Sequence, residues 1–176
     1  MVSSDIETRD NDEIYLIVKM NLMEFAVPIT QVDGVGEFNS EFHNDVETGF
    51  CLGKYHDQNE IIPILNLKSY LRCPFDSYNR TSQSRILFLR YSEKSIHESD
   101  TFNVGFGVDA IVGLYRAVTL EKVRNREQDI SKELKCFQIN SYVEINSKSY
   151  PILDLIKLLD FTLLKRTLEQ ILPEKI

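Results

Sequence analysis

Apolar and polar positions along the chain fall into short runs, many with the two-residue period of strands. Residues 14–20, Ile14 to Met20, are rich in β-branched and aromatic side chains, the composition of a strand. After a short turn, Phe25 and Val27 alternate with polar or small neighbours as far as Pro28, which predicts the second strand of a hairpin. Residues 37–48 are polar with irregular charge spacing and read as a loop. Residues 49–52 and 60–65 look like paired strands about the turn-rich stretch 56–59. Pro63 cannot donate a ladder hydrogen bond, so it predicts an edge, a bulge or a strand end. Residues 66–71 fit one helical turn capped by Asn66. Another loop, 73–83, precedes a strong strand at 85–91 and a polar excursion at 92–101. Phe102, Val104, Phe106 and Val108 then share one face of a strand, and 110–115 continue as the next. The charged stretch 119–135 predicts a long loop, and 142–145 with 150–153 a hairpin around Asn146, Ser147 and Lys148.

The C-terminal segment changes period. Leu155, Leu158, Leu159, Leu163, Leu164, Leu168, Ile171 and Leu172 recur at helical spacing, with Asp154 placed as N-cap and Pro173 ending the pattern. Self-packing on the rest of the chain is the default for such a stripe, and a partner helix is the alternative. Many short strands before one C-terminal helix, without repeated strand–helix alternation, disfavour a doubly wound sheet and favour an all-β barrel or sandwich. The chain also echoes itself. Pro63-Ile64-Leu65-Asn66-Leu67 is matched by Pro151-Ile152-Leu153-Asp154-Leu155, and Phe25-Ala26-Val27-Pro28 by Phe106-Gly107-Val108-Asp109. Two related halves account for both matches; chance recurrence of a common β pattern is the alternative.

Composition narrows the class. Of 176 residues, 43% are hydrophobic and 27% charged, a globular balance with enough apolar matter for a core. The formal charge of −7 disfavours a nucleic-acid binder, which carries a basic face. No apolar run is long enough to cross a bilayer, and the start lacks a signal-peptide pattern, so an intracellular protein is expected. Cys51, Cys73 and Cys136 are odd in number and widely spaced, which fits small hydrophobes better than a disulfide framework. Residues 1–13 read as a flexible acidic tail, 14–162 as one domain of two halves, and 163–176 as a helical extension.

Candidate chemistry is sparse. His43, His56 and His97 all fall in predicted loops, with no metal-pair or zinc-finger spacing, so no metal is expected. Gly105-Phe106-Gly107 lacks the third glycine and following helix of a dinucleotide fingerprint; glycine there fits close backbone approach or a barrel corner. Asp109 and Asp154 end apolar strands, where turn or helix capping is commoner than acid–base catalysis. No phosphate-loop or nucleophile-elbow motif occurs. No catalytic residue and no cofactor are expected.

Four blocks in order resemble the CheW-like family. They are Phe25-Ala26-Val27-Pro28-Ile29 with Val32; Ile61-Ile62-Pro63-Ile64-Leu65-Asn66-Leu67; residues 104–111 around Gly105-Phe106-Gly107-Val108-Asp109; and Tyr150-Pro151-Ile152-Leu153-Asp154-Leu155 with Lys157-Leu158-Leu159. Their order and approximate spacing match the family from about Ile14 to Leu159. The resemblance implies two interlocked five-stranded barrels similar to Src-homology-3 barrels, with a hydrophobic core between them and no catalysis. It implies a cytoplasmic adaptor, at membrane-associated receptor arrays, that scaffolds a CheA-type histidine kinase to chemoreceptors without inserting into the membrane. The expected partners are the kinase regulatory domain and the helical receptor tip, with no nucleic acid. By the same resemblance Val32, Val35, Leu52 and Lys54 border the receptor groove. Kinase contact is expected at two barrel edges free of proline, one at Gly49 and Cys51, the other at Val104, Gly105, Phe106 and Gly107.

Two departures bear on that reading. Gly34-Val35-Gly36-Glu37 stands where the family often has Glu-Ile-Arg-Gly, and Cys51-Leu52-Gly53-Lys54 stands near its Asn-Leu-Arg-Gly; lysine does not replace arginine in bidentate pairing. A diverged scaffold serving surface motility, gene regulation or another signalling array is therefore the second reading, and an unrelated small β-barrel enzyme the third.

Overall fold

The structure, a computed structural model, describes residues 12–21, 23–44, 50–58, 60–70, 80–94, 99–121, 137, 139, 141–159, 165 and 169. Among the described residues, strands and short helices run in the order β1 (Asp12–Met20), β2 (Met23–Pro28), a 3-10 turn (Ile29–Gln31), β3 (Gly34–Glu37), β4 (Phe42–His43), β5 (Cys51–Asp57), β6 (Glu60–Leu65), α1 (Leu67–Tyr70), β7 (Arg85–Lys94), β8 (Ser99–Val108), β9 (Ala110–Glu121), β10 (Ser141–Ile145), β11 (Lys148–Pro151) and α2 (Leu155–Leu158).

They form two sheets, ordered β11-β10-β9-β1-β2 and β3-β7-β8-β6-β5-β4. The first closes into a barrel through a parallel bridge from Ala26 to Ile152, backed by the Leu153 amide donating to the Ala26 carbonyl at 2.9 Å. The second has five main strands, as expected, and adds the two-residue β4 inside what the sequence presents as a loop. The polar excursion after Tyr91 is also largely strand, because β7 and β8 pair in continuous register from Arg85–Val108 to Lys94–Ser99.

The internal echo has a structural counterpart. In barrel two, β8 of the β7–β8 hairpin runs parallel to β6 at Ile64–Gly105 and Leu65–Phe106. In barrel one, β2 of the β1–β2 hairpin runs parallel to the end of the Pro151-Ile152 strand. The hairpins are exchanged: β1 and β2 complete a barrel whose other strands come from the second half, while β7 and β8 complete the barrel built by the first half. Asn66 and Asp154, equivalent in the echo, each accept a backbone amide three residues on, from Ser69 at 3.4 Å and Lys157 at 3.1 Å. The predicted capping role of Asp154 is what the chain uses. Asp109 likewise accepts from the Asn21 amide and fixes the β1–β2 turn, where Asn21 sits at φ 56°.

Exchange explains the hydrophobic pattern. β1 is buried on both faces: Tyr15 and Ile17 fill barrel one, while Leu16, Val18 and Met20 face the seam between barrels. That is why its apolar run is nearly continuous rather than alternating. On β7, Ile86 and Phe88 fill barrel two, while Leu87 and Leu89 join the seam. Phe25, Val27, Leu65, Val104, Phe106 and Val108 complete the seam from the neighbouring strands. Leu155, Leu158 and Leu159 pack into the same core, so the start of the leucine stripe covers its own chain. Lys165 and Glu169 are helical and exposed; the rest of the predicted extension lies outside the described residues. The β10–β11 hairpin turns through Asn146 and Ser147, both at positive φ (51° and 62°), as a two-residue turn with right-handed strand twist requires.

Pro63 lies on β6, between β5 and β8, but pairing with β8 begins one residue later at Ile64. The missing donor thus stands ahead of the parallel ladder.

Candidate functional site

Two surfaces come forward: the seam between barrels and the open end of barrel two. At the seam, Val32 is half-buried against the shared core. Val35 lies on edge strand β3 opposite Leu87, a seam residue, and remains 48% exposed. Register places opposed side chains on one face, so Val32 and Val35 both border the seam.

The other two groove candidates lie elsewhere. Leu52 packs against the cluster inside barrel two, with Ile62, Ile64 and Ile86. Lys54 sits on β5 opposite Pro63 on one side and His43 on the other, half-buried. Both belong to β5, and in the sheet order three strands separate it from β3.

The expected interface at Val104–Val108 needs correction. β8 is an interior strand, hydrogen-bonded to β7 on one side and β6 on the other. Val104 is fully buried and Phe106 is 1% exposed in the seam core. Gly105 and Gly107 are buried as well. A Cβ on Gly105 would stand 2.5 Å from Ile64 Cδ1 and 2.8 Å from Ile86 Cγ2, so this glycine serves close packing inside barrel two. No open edge exists here for a partner strand. Gly49 lies outside the described residues. Cys51 is buried, with its thiol within donating distance of two carbonyls, Gly53 at 3.3 Å and Ile64 at 3.5 Å.

At the mouth of barrel two lies a cavity of about 320 Å³ that the sequence did not announce. Gly34 stands opposite Phe88 in the β3–β7 register, and neither Gly34 nor Gly36 has a side chain to fill the barrel end. A Cβ on Gly36 would press to 2.5 Å from the Phe88 ring, whereas one on Gly34 would sit at an ordinary 3.9 Å. Gly36 is therefore required by the ring, and Gly34 only leaves room. Phe88, Tyr55, Ile62, Leu89 and Val35, the last also at the border of the seam, form the apolar lining, with the Tyr55 and Phe88 rings meeting edge to face at 5.0 Å. Asp33, Asp57 and Glu60 contribute carboxylates and Arg90 the single guanidinium. Arg90 is held by Asp33 at 3.3 Å, and Glu60 accepts from Asn103 Nδ2 at 2.6 Å. Asp57 pairs through its backbone with Glu60, and its carboxylate makes no hydrogen bond or ion pair with another described residue.

Beside this mouth the Tyr55 hydroxyl donates to Glu41 at 2.6 Å. That bond, with a second from Asn39, holds the Glu41 carboxyl below its usual range, and it pushes the Tyr55 hydroxyl up. His43 and His56, both expected in loops, stand on neighbouring strands β4 and β5 with rings 4.6 Å apart. Their approach depends on β4, too short to carry a sequence signal. Among the described residues no three or more His, Cys, Asp and Glu side chains converge as a metal site. His97, Cys73 and Cys136 lie outside the described residues. No helix among the described residues is long and apolar enough to cross a membrane.

Comparison with known proteins bears on this geometry. The family model described as the CheW-like domain matches residues 15–163. Among similar solved structures is the scaffolding protein TtCheW from Thermoanaerobacter tengcongensis, with a TM-score of 0.61 and 15% sequence identity, covering 85% of this chain and 93% of that one. A sequence search of curated proteins finds no match.

Proposed function

The chain belongs to the CheW-like domain family, and on that premise we propose that it is a non-catalytic cytoplasmic adaptor that scaffolds a CheA-type histidine kinase to chemoreceptors. The supporting observation is that the family match spans both barrels and the seam between them, so it covers the whole two-barrel unit and not one half of it. A scaffold needs separate surfaces held at fixed spacing, and two barrels sharing one apolar core provide that. In this reading the receptor tip, a helical hairpin, lies along the seam beside Val32 and Val35, with Lys54 further out; an apolar face in a groove is a common mode of helix recognition. The kinase regulatory domain meets barrel two near Cys51, where β5 runs beyond its two-residue pairing with β4, and the Val104–Gly107 segment serves the core instead.

The test is binding of the full chain to a receptor cytoplasmic fragment and to a kinase regulatory domain from the same genome, by calorimetry. Both are expected to bind, and Val35→Glu is expected to weaken the receptor alone while leaving the melting temperature unchanged. Unaltered receptor affinity removes the seam assignment. A second reading, a CheW-like scaffold for surface motility or gene regulation, is favoured by Gly34 and Gly36, which reshape the end of barrel two where the family often has Glu-Ile-Arg-Gly. Binding to neither chemotaxis partner would favour that circuit.

A further inference from the structure

We infer that the cavity at the mouth of barrel two is a socket for an arginine side chain presented by a partner protein. Three carboxylates against one guanidinium give the recess a net negative rim, and that guanidinium is already bound to Asp33. Asp57 is left to pair with an incoming charge. Below the rim lie the rings of Tyr55 and Phe88, and guanidinium stacks on aromatic faces while pairing in bidentate fashion with a carboxylate. A recess of about 320 Å³ sits at the small end of ligand-sized cavities and suits one long side chain. Glycine at 34 and 36 keeps the entrance clear. The inference rests on the adaptor reading only for the source of the arginine, a partner protein.

The probe is a short acetylated, amidated peptide, Gly-Arg-Gly, titrated into the isotope-labelled full chain and followed by amide NMR shifts. Its uncharged counterpart carries citrulline, which keeps the shape and loses the charge. The arginine peptide is expected to shift the amides of Gly34, Gly36 and Asn103. The citrulline peptide, and the arginine peptide on Asp57→Asn, are each expected to bind about tenfold more weakly, the worth of one charge-assisted hydrogen bond. Gly34→Leu, whose Cβ the 3.9 Å clearance accommodates and whose branch points toward the open recess, is expected to abolish the shifts at an unchanged melting temperature. Equal binding of the two peptides, shifts confined to another surface, or full binding by both variants would overturn the socket. Spermidine binding as tightly as the peptide would overturn its assignment to a protein side chain. Because the probe contains neither kinase nor receptor, these outcomes are distinct from failure of the adaptor reading.

Discussion

Phe106 separates a core strand from an interface strand in one measurement. The ring is 1% exposed and lies in register with Leu65 on one side and Leu87 on the other, both seam residues. Cutting it to alanine removes a buried aromatic from between two barrels whose backbones are locked by ladders on both sides of β8, so the void has little means to collapse. Phe→Ala at such sites costs about 3–5 kcal/mol. Against a total stability of about 5–15 kcal/mol, that is a large share. For a chain of this size it corresponds to a fall in melting temperature of about 6–20 °C. Urea titration of Phe106→Ala beside the parent measures it, with Val35→Ser as the exposed comparison, expected to move stability by less than about 0.5 kcal/mol. The neighbouring Gly105→Arg should give no folded protein, since even its Cβ would meet Ile64 at 2.5 Å. A loss below about 1 kcal/mol for Phe106→Ala would refute the seam assignment, and a soluble, folded Gly105→Arg would refute the close packing of this glycine inside barrel two.

Asp154→Ala removes the cap on α2 and the bond from Gln31 Nε2 at 2.9 Å, and is expected to cost about 1–2 kcal/mol by urea titration, with Asp154→Asn recovering most of it; equal losses for both variants would show that capping is not the cause. The Glu41–Tyr55 bond gives a pH window: Glu41, held low, contributes above its unfolded pKa and loses that contribution as pH falls through its folded value, while Tyr55, pushed up, contributes below the ordinary tyrosine value of 10.0 and loses its share as pH rises through its folded value. Glu41→Gln should move one tyrosine's ionisation down toward its ordinary value in an ultraviolet titration, and an unchanged titration curve would count against the bond.

Strand positions were legible because each face of a strand leaves its own period in the sequence. Phe102, Val104, Phe106 and Val108 share a face as their alternation says. What alternation does not say is whether that face meets solvent, a partner or a second barrel. Here it meets the second barrel, and the edge expected at β8 became the interior of a sheet because β6 returns from the other side. The Asp154 cap was legible because its reach is local, three residues along the chain, whereas the amide that Asp109 accepts belongs to Asn21, 88 residues away, and no local pattern announces it. The cavity was not, because it depends on Gly34 facing Phe88, a register fixed by strands far apart in sequence. The closeness of His43 and His56 was hidden because β4 is only two residues long and leaves no period in the sequence.

Hairpin exchange also bears on how an adaptor of this shape can work. Barrel one cannot close without β9, β10 and β11, and barrel two cannot close without β7 and β8, so neither half of the chain contains a complete barrel. The seam core is drawn from both hairpins, with Leu16, Val18, Phe25 and Val27 meeting Leu87, Leu89, Val104 and Phe106. Sliding one barrel against the other would expose these side chains at roughly 25 cal/mol for each Å² uncovered, so the two outer surfaces keep a fixed relation. A protein that must hold two partners at a set distance gains that rigidity from topology and needs no hinge. Any change of partner geometry must then arise in the partners themselves or in side chains at the rim, such as Val35 and Asp57, where exposure leaves freedom to move.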